Sequence, residues 1–519
     1  MYMDDICYLY KKIWSLLLFK NLFLNNNKRM GGGLIQLVAY GIQDIYLTGD
    51  PQITFFKTVY KRHTNFTIEP IKQFFNSNPD FGKTVTCTLC RNGDLITNVY
   101  IFLKLPFIPK FRNDTSNIKK KFSWVRKIGY ALIKQIDIEI GGQLIDTHYG
   151  EWLNIWAELT NTHECLADMI GDVPELFTPS NGKQGYGLYI PLEFWFCRHS
   201  GLALPVIALQ YSEIKIHLEL REAEDVYVIY PTHYIEIIDD IVGFEEGEYI
   251  EQNIHGIKIG GLFEYFDPLM RRLYYTKIID NPEKQFIKKN PIIGYKTGLC
   301  VFPDPRKTGE VKLKNALPRR RELTIGPSHL LVDYVYLDTK ERIKFIETSH
   351  EYLIEQLQFS GKKTIYDNYH IEQLSFSHPT KEIVWVTPLV NLTDGFLKDM
   401  FNYSNDKDRC NNIVSKATIL LNGQERFAPR EGNYFNWVQP YERHTRGPEQ
   451  GIYVYSFAIF PEDKQPSGSC NMSKIDDLKL LLEFDGSVNL MNMVHLRVYA
   501  VNYNILRIIH GLGGLAFSA

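Results

Sequence analysis

The stretch that decides the fold is IKIHLEL, residues Ile214–Leu220, together with Gly187-Leu188-Tyr189-Ile190 before it. Both segments occur a second time, because Gly451-Ile452-Tyr453-Val454 is followed by LKLLLEF, residues Leu478–Phe484. The offset is the same for both, 264 positions (451 − 187 and 478 − 214). Since two separate strand-like segments keep one spacing, the chain is predicted to contain a duplicated β domain.

A predicted hairpin supports the duplication. The alternating segment IDIEI ends at Gly141-Gly142, and its counterpart ATILL ends at Asn422-Gly423. Gly-Gly and Asn-Gly both accept the positive φ angles of two-residue hairpin turns. The offset here is 281 (423 − 142), so the first copy carries 17 extra residues (281 − 264), which we place within 160–179 and expect to be helical.

A third pair of segments locates the largest difference between the copies. Val332-Asp333-Tyr334-Val335-Tyr336 resembles Arg497-Val498-Tyr499-Ala500-Val501 at an offset of 165 (499 − 334). A further 99 residues (264 − 165) are therefore inserted in the first copy, within 221–326. Because so long a segment cannot enter a packed sandwich core, we expect it to fold on itself as an exposed tower. The alignment makes three pairs of residues equivalent: Gly142 and Gly423, Tyr189 and Tyr453, and Lys215 and Lys479.

The composition fits a chain of two or more globular domains. Of the 519 residues, 45% are hydrophobic and 23% charged, and the formal net charge is −2. No basic excess is available to neutralise a phosphate backbone, which argues against direct nucleic-acid binding. Short alternating segments separated by turn signals predict an all-β fold of two tandem eight-stranded antiparallel sandwiches. The strongest helix candidates are 151–158 and 340–355.

Motifs for catalysis or metal binding are only partial. Gly82-Lys83-Thr84 resembles the end of a phosphate-binding loop, but a strand is predicted after it instead of a helix. His163-Glu164 begins like a zinc-binding helix, yet Ala167 occupies the position of the second histidine. Cys87 and Cys90 lie on a predicted strand and point to opposite faces, so they would not chelate one metal. We therefore predict no catalytic, cofactor-binding or metal-binding residues, and reduced cysteines.

The first 29 residues differ from the rest of the sequence. Their apolar stretch at 13–19 is shorter than the roughly 20 residues that a membrane-spanning helix needs. Asp4-Asp5 stands where a signal peptide is basic. We interpret 1–29 as a disordered or non-native extension that precedes Met30, and an interfacial amphipathic anchor is the alternative.

From Met30 onward the sequence resembles a known family. MGGGLIQLVAYG at 30–41 leads into QDIYLTGDPQITFFK at 43–57, and YKRHTNF follows at 60–66. Further matching stretches are LALPVIALQY at 202–211, HEYLIEQ at 350–356, QPSGSCN at 465–471 and the carboxyl-terminal residues 503–516. These motifs closely resemble the major capsid proteins of nucleocytoplasmic large DNA viruses, of the mimivirus, phycodnavirus and iridovirus type. The resemblance covers about 30–519, and the long insertion departs from the shorter members.

The resemblance implies that the two sandwiches are jelly rolls with a structural role. Proteins of this family trimerise into pseudo-hexameric capsomers, which tile an icosahedral viral shell. The partners implied are two further copies in a homotrimer, neighbouring capsomers, minor capsid and penton proteins and, by proximity, an inner viral membrane. Neither a cofactor nor direct contact with nucleic acid is implied. The implied location is the virion, after assembly in the host cytoplasm.

The predicted organisation follows from the repeat and the resemblance together. Residues 1–29 form the extension, 30–56 an N-terminal assembly arm, 57–347 the first jelly roll with the tower at 221–326, and 348–519 the second jelly roll. Two other functions stay open from the residues. One is a double jelly-roll scaffold of virion assembly that is absent from the mature particle. The other is a carbohydrate-binding or enzymatic jelly roll, which a cluster of His and Glu metal ligands would favour.

Overall fold

The computed structural model describes residues 39, 41–48, 50–58, 60–111, 118–239, 243–254, 257–278, 285–313, 323–405, 409–490 and 492–517. The chain divides into two units, Met1–His63 and Thr64–Ala519. In the described part of the first unit, a turn of 3-10 helix (Ile42–Asp44) leads into a short α-helix (Ile45–Thr48). The predicted extension at 1–29 and residues 30–38 of the predicted arm lie outside the described residues.

Two four-stranded antiparallel sheets form the first sandwich of the second unit. One sheet has the order β1 (Phe66–Gln73), β17 (His329–Leu337), β3 (Leu95–Leu105), β7 (Tyr186–Pro191). The other has the order β2 (Thr84–Thr88), β8 (Ile214–Leu220), β5 (Ile133–Ile140), β6 (Gln143–His148). Apolar and polar residues alternate along β8, and its apolar face is buried in the core that the two sheets share.

The second sandwich repeats this plan. Its first sheet has the order β18 (His350–Ile365), β27 (Val494–Ile509), β20 (Pro379–Val386), β24 (Ile452–Ser456), with β25 (Cys470–Asn471) beside β20 and β28 (Leu512–Leu515) beside β27. Its second sheet has the order β19 (Tyr369–Leu374), β26 (Leu478–Phe484), β21 (Val414–Leu421), β22 (Gln424–Glu425), with β23 (Arg430–Glu431) beside β21. The predicted fold of two tandem eight-stranded antiparallel sandwiches is confirmed.

Equivalent strands occupy the same places in the two sandwiches, which confirms the duplication at the level of strands. Each predicted hairpin turns between neighbouring strands, β5 and β6 in the first copy and β21 and β22 in the second. Both turns have positive φ at both central residues: 59° and 86° at Gly141 and Gly142, and 50° and 77° at Asn422 and Gly423. The hairpin turns predicted from Gly-Gly and Asn-Gly are therefore confirmed.

At the level of residues, the alignment holds in one sheet and fails in the other. Buried and partly exposed residues alternate in the same phase along β8 and β26, as the equivalence of Lys215 and Lys479 requires. The predicted equivalence of Tyr189 and Tyr453 is wrong, because Tyr189 is 44% exposed whereas Tyr453 is fully buried in the second core. β24 is buried on both faces, so its sequence carries no alternation from which the phase can be read.

The third aligned pair, Tyr334 and Tyr499, is also wrong by one residue, because β27 is likewise buried on both faces over most of its length. Tyr334 lies in the core of the first sandwich. Its aligned counterpart Tyr499 points away from the second core and packs against Trp152 of the first sandwich's helix, with ring centroids 5.5 Å apart. β27 therefore matches β17 as a strand, but its inward-facing residues are the neighbours Val498 and Ala500.

The insertion forms a third β structure between β8 and β17. β9 (Tyr227–Tyr230) pairs with β4 (Lys121–Trp124). A seven-stranded sheet has the order β15 (Cys300–Val301), β14 (Ile292–Gly294), β11 (Tyr249–Ile254), β12 (Ile257–Asp267), β13 (Arg272–Lys277), β10 (His233–Glu236), β16 (Val311–Lys312). Residues including Ile235, Phe263 and Tyr275 give it a core of its own. It also touches the second sandwich, because Ile278 lies in that sandwich's core.

Helices occupy the connections between strands. The α-helices of the second unit's described residues are Ile128–Leu132, Gly150–Thr160, Cys165–Ile170, Pro174–Phe177, Trp195–Arg198, Thr339–Glu347, Val390–Thr393 and Gln439–Arg443; a π-helix spans Tyr434–Val438, and 3-10 turns span Ser200–Leu202, Ala223–Asp225 and Met472–Lys474. The predicted helix at 151–158 and the predicted helical excess at 160–179 are confirmed. The predicted helix at 340–355 is wrong beyond Glu347, because β18 begins at His350 and pairs with β27 from end to end.

Candidate assembly surfaces

The two sandwiches meet at a buried junction, formed by the β18-β27-β20-β24 sheet and the Gly150–Thr160 helix. The outward-facing residues of that sheet share an apolar core with Trp152 and Trp156 of the helix; they include Val384, Val386, Ile452, Val454 and Val501. This explains why β20 and β24 are buried on both faces. The second sandwich is thus covered on one side by the first, and only its other faces are available to further partners.

Glu151 anchors the helix to β27. Its carboxylate pairs with the Arg497 guanidinium and accepts a hydrogen bond of 2.6 Å from the Tyr499 hydroxyl. Burial raises the pKa of Tyr499, and the negative charge of Glu151 adds to this shift, so the phenol stays a donor. Burial opposes the charge on Arg497, but Glu151 outweighs it and raises the pKa of that guanidinium. The helix therefore meets the second sandwich through a charged and oriented contact in addition to apolar packing.

A second ionic contact crosses the junction next to Trp156. Glu355 on β18 accepts from Arg198 of the first sandwich and from Lys381 on β20, each at 2.6 Å. The Arg198 guanidinium lies 4.0 Å from the centre of the Trp156 ring, which adds a cation–π contact. Lys381 is fully buried. One carboxylate therefore neutralises two cations, one from each sandwich.

His444 closes a third charged cluster beside Trp156. Its two ring nitrogens lie 3.1 Å from the Glu382 carboxylate and 2.9 Å from the Glu462 carboxylate. The side chains of His444 and Glu382 are fully buried. Burial opposes the charged imidazolium, but the two carboxylates outweigh it and raise the pKa of His444 to about 9. The imidazolium form is therefore held inside the protein at neutral pH.

The carboxyl-terminal hairpin ties the second sandwich back to the first. The backbone N–H of Leu515 donates to the Gln143 side-chain oxygen at 3.0 Å, and that of Gly513 donates to the Ser212 hydroxyl at 3.1 Å. The N–H of Tyr211 donates to the carbonyl of Gly511 at 2.9 Å. Together with the ionic contacts, these bonds hold the two sandwiches in one relative orientation.

Apolar side chains are exposed on strands at the edges of both sandwiches. Phe66 and Ile68 on β1 are about half exposed, and so are Tyr369 and Ile371 on β19. Each of these strands is the end strand of its sheet. Natural proteins protect such edges, so the exposed apolar residues there form candidate surfaces for contact with another chain.

The first unit and the insertion also expose large apolar side chains. Phe55 and Phe56 are 91% and 98% exposed, and they stand next to the exposed Lys57. On the insertion, Ile293 of β14 and Phe302 after β15 are about 40% and 47% exposed. Exposed aromatic residues of this size are typical of protein interfaces.

The partial motifs of the sequence occupy ordinary structural positions. Gly82 is in a turn with a φ of 70°, and a strand follows it as predicted. Cys87 is buried on β2, and burial raises its pKa to about 12. Cys90 is exposed and lies beyond the end of β2 at Thr88, so the prediction that both cysteines lie on one strand is wrong for Cys90. His163 is exposed. No group of three or more His, Cys, Asp or Glu side chains comes together as a metal site in the described ranges.

None of the helices in the part of the chain that the structure describes has the length and apolar character of a membrane-spanning segment.

The charged residues of the junction were missed by the sequence analysis. Their one signal is Lys381-Glu382 at the start of the apolar segment IVWV, where a buried strand would not carry two charges without partners. The partners Glu355, Arg198 and His444 lie far away in sequence. A single sequence does not show that residues so far apart are in contact.

Two protein-family models match the chain. "Major capsid protein N-terminus" matches residues 54–254, and "Large eukaryotic DNA virus major capsid protein" matches residues 341–514. Probable capsid protein 4 of Acanthamoeba polyphaga mimivirus is 46% identical over 94% of this chain and 100% of its own length. The major capsid protein of Pyramimonas orientalis virus is 37% identical, again over 94% of this chain and 100% of its own length.

Solved structures agree with these relatives. A chain of the quasi-atomic PBCV-1 virus capsid is 27% identical, with a TM-score of 0.62 over 90% of this chain and 100% of that one. The Faustovirus major capsid protein is 12% identical and covers 97% of this chain and 98% of its own, with a TM-score of 0.60, and shows the same fold.

Proposed function

The chain belongs to the family of large eukaryotic DNA virus major capsid proteins, and we propose that three copies of it form a pseudo-hexameric capsomer. It is a structural protein of the viral capsid. The trimer is inferred from the double sandwich, whose halves share one strand order and are fixed to each other at the junction. Three such chains supply six similar units, and closed cyclic symmetry is the usual arrangement of identical chains.

The exposed edge strands support contacts between copies. β1 and β19 belong to different sandwiches and both expose apolar residues. Surfaces of this kind are covered in obligate assemblies, whose interfaces are large and apolar. Neighbouring capsomers then meet through the remaining outer faces of the shell.

The finer organisation of the chain follows the same proposal. Residues 30–56 act as an assembly arm, on which the exposed Phe55 and Phe56 contact minor capsid or penton proteins or the inner membrane. The first jelly roll spans 57–347, the second spans 348–519, and the insertion at 221–326 stands out from the capsomer as a tower. Residues 1–29 are dispensable.

The role is structural, without catalysis. Assembly takes place in the host cytoplasm, and the shell makes no direct contact with nucleic acid, in keeping with the net charge of −2.

Light scattering of the purified full-length protein tests the trimer. We expect a particle of three 60.5 kDa chains, and electron micrographs of it should show a six-sided outline. A stable monomer at working concentration would contradict the proposal. Quantitative mass spectrometry of purified virions separates the shell from a scaffold, because a shell protein is abundant there and a scaffold is nearly absent.

A further inference from the structure

A charged cleft opens at the junction between the sandwiches, on the side of the Gly150–Thr160 helix that carries Glu151. Its volume is about 530 Å³. The cleft with Glu151 is lined by five cationic and three carboxylate side chains: Lys134, Arg221, Lys362, Lys398 and Arg497, and Glu151, Asp225 and Asp394. The first sandwich supplies Arg221 and the second supplies Arg497.

Most of these charges are already matched. Glu151 is engaged through both oxygens by Arg497 and Tyr499. Asp394 lies 3.1 Å from Lys362 and 3.0 Å from His495. Lys134 pairs with Glu219 at 2.6 Å. Lys362 and His495 both contact Oδ2 of Asp394, and its Oδ1 accepts from the Thr393 hydroxyl at 3.0 Å.

Three charges of the cleft, Lys398, Asp225 and Arg221, form no ion pair among the residues that the structure describes. The Arg221 guanidinium also forms no hydrogen bond there, and its Nε is buried without an acceptor. Burial lowers the pKa of Arg221, Glu151 opposes this shift, and the neighbouring Arg497 adds to it. Arg221 is partly exposed as a whole, but its buried Nε–H is costly, because that group has lost water and gained no acceptor in return.

The backbone holds Arg221 in this position. Its N–H donates to the carbonyl of Leu132 at 2.8 Å, and its carbonyl accepts from the N–H of Gly82 at 3.0 Å. The backbone of Arg221 is therefore fixed at the end of β8, and its side chain lines the cleft. Lys398 adds a second cation, which is held by the backbone carbonyl of Tyr227 at 3.1 Å.

We propose that this cleft binds a tetrahedral oxyanion of the phosphate class, which accepts hydrogen bonds from Arg221 and is flanked by Arg497 and Lys398. A planar guanidinium fits two oxygens of such an anion, and the cleft has room for the anion with several waters. Because the cleft is lined by both sandwiches, the bound anion joins them. Anion binding therefore adds to the stability of the double module.

Thermal unfolding of the full-length protein in sodium phosphate and in sodium chloride of equal ionic strength tests the site. We expect low-millimolar phosphate to raise the Tm of the wild type saturably, by roughly 2 °C. The rise is lost in Arg221→Met and kept in Arg507→Gln, a control whose guanidinium is exposed and pairs with the exposed Glu351. Comparison at low concentration separates binding from the general stabilisation that phosphate causes at high concentration.

A second variant and a second measurement keep the test decisive. Arg221→Gln replaces Arg221→Met if the latter does not fold. Isothermal titration of the wild type with inorganic phosphate should give saturable heat that the Arg221 variant lacks. The proposal is overturned if phosphate causes no rise beyond that of chloride, or if the rise is equal in the wild type and the Arg221 variant.

Discussion

At the scale of single residues, His444 shows how a charge is kept inside this protein. Its folded-state pKa of about 9 lies above the ordinary value of 6.5, because two carboxylates outweigh burial. A group with a raised pKa contributes stability that is fully present below its unfolded pKa and is lost as the pH rises through its folded pKa. The contribution of His444 is therefore complete below about pH 6.5 and disappears toward pH 9.

We predict that His444→Gln lowers the free energy of unfolding most at low pH. The difference from the wild type should be on the order of 3 kcal/mol near pH 6, since one pKa unit corresponds to about 1.4 kcal/mol, and it should shrink as the pH approaches 9. Denaturant unfolding at several pH values measures it. His163→Gln, at an exposed position, is the control. A loss that is the same at all pH values would show that His444 acts through packing alone.

At the scale of elements, the sequence was informative wherever one face of a strand is exposed. The alternation in β8 and β26 and the Gly-Gly and Asn-Gly turns led to the correct strands and phase. Where the junction buries both faces of a strand, as in β24, the sequence shows no alternation, and the predicted alignment is wrong by one residue. The helix predicted after Glu347 does not form, because the pairing of residues 350–355 with β27 is set by residues more than 140 positions away.

The turn glycines allow a prediction that isolates backbone conformation. At Gly423 φ is 77°, and an added Cβ would meet no atom within 4 Å. Gly423→Ala should therefore destabilise the protein by about 1 kcal/mol through φ alone. Gly447→Ala is the matched control, because that exposed glycine also has open space around its Cβ position but no positive φ. Equal unfolding midpoints for the two variants in a denaturant titration would refute this account.

At the scale of the whole molecule, the junction makes two similar sandwiches into one building block. Packing on Trp152 and Trp156 buries apolar surface at the junction, while the ion pairs of Glu151 and Glu355 fix the orientation of the two sandwiches. Breaking a buried ion pair from one side leaves an uncompensated charge, which costs far more than the pair contributes when both members are present.

Glu355→Gln tests this at the junction. The change leaves the buried Lys381 and Arg198 without their common carboxylate, and we expect it to lower the free energy of unfolding by roughly 3–5 kcal/mol. Glu351→Gln on the same strand is the matched control, because its partner Arg507 is half exposed and the loss should stay below about 1 kcal/mol. Since Glu355 and Arg198 act as a unit, adding Arg198→Gln to Glu355→Gln should cost less than the sum of the two single changes. Additive losses, or equal losses for Glu355→Gln and its control, would mean that apolar packing alone fixes the two sandwiches to each other.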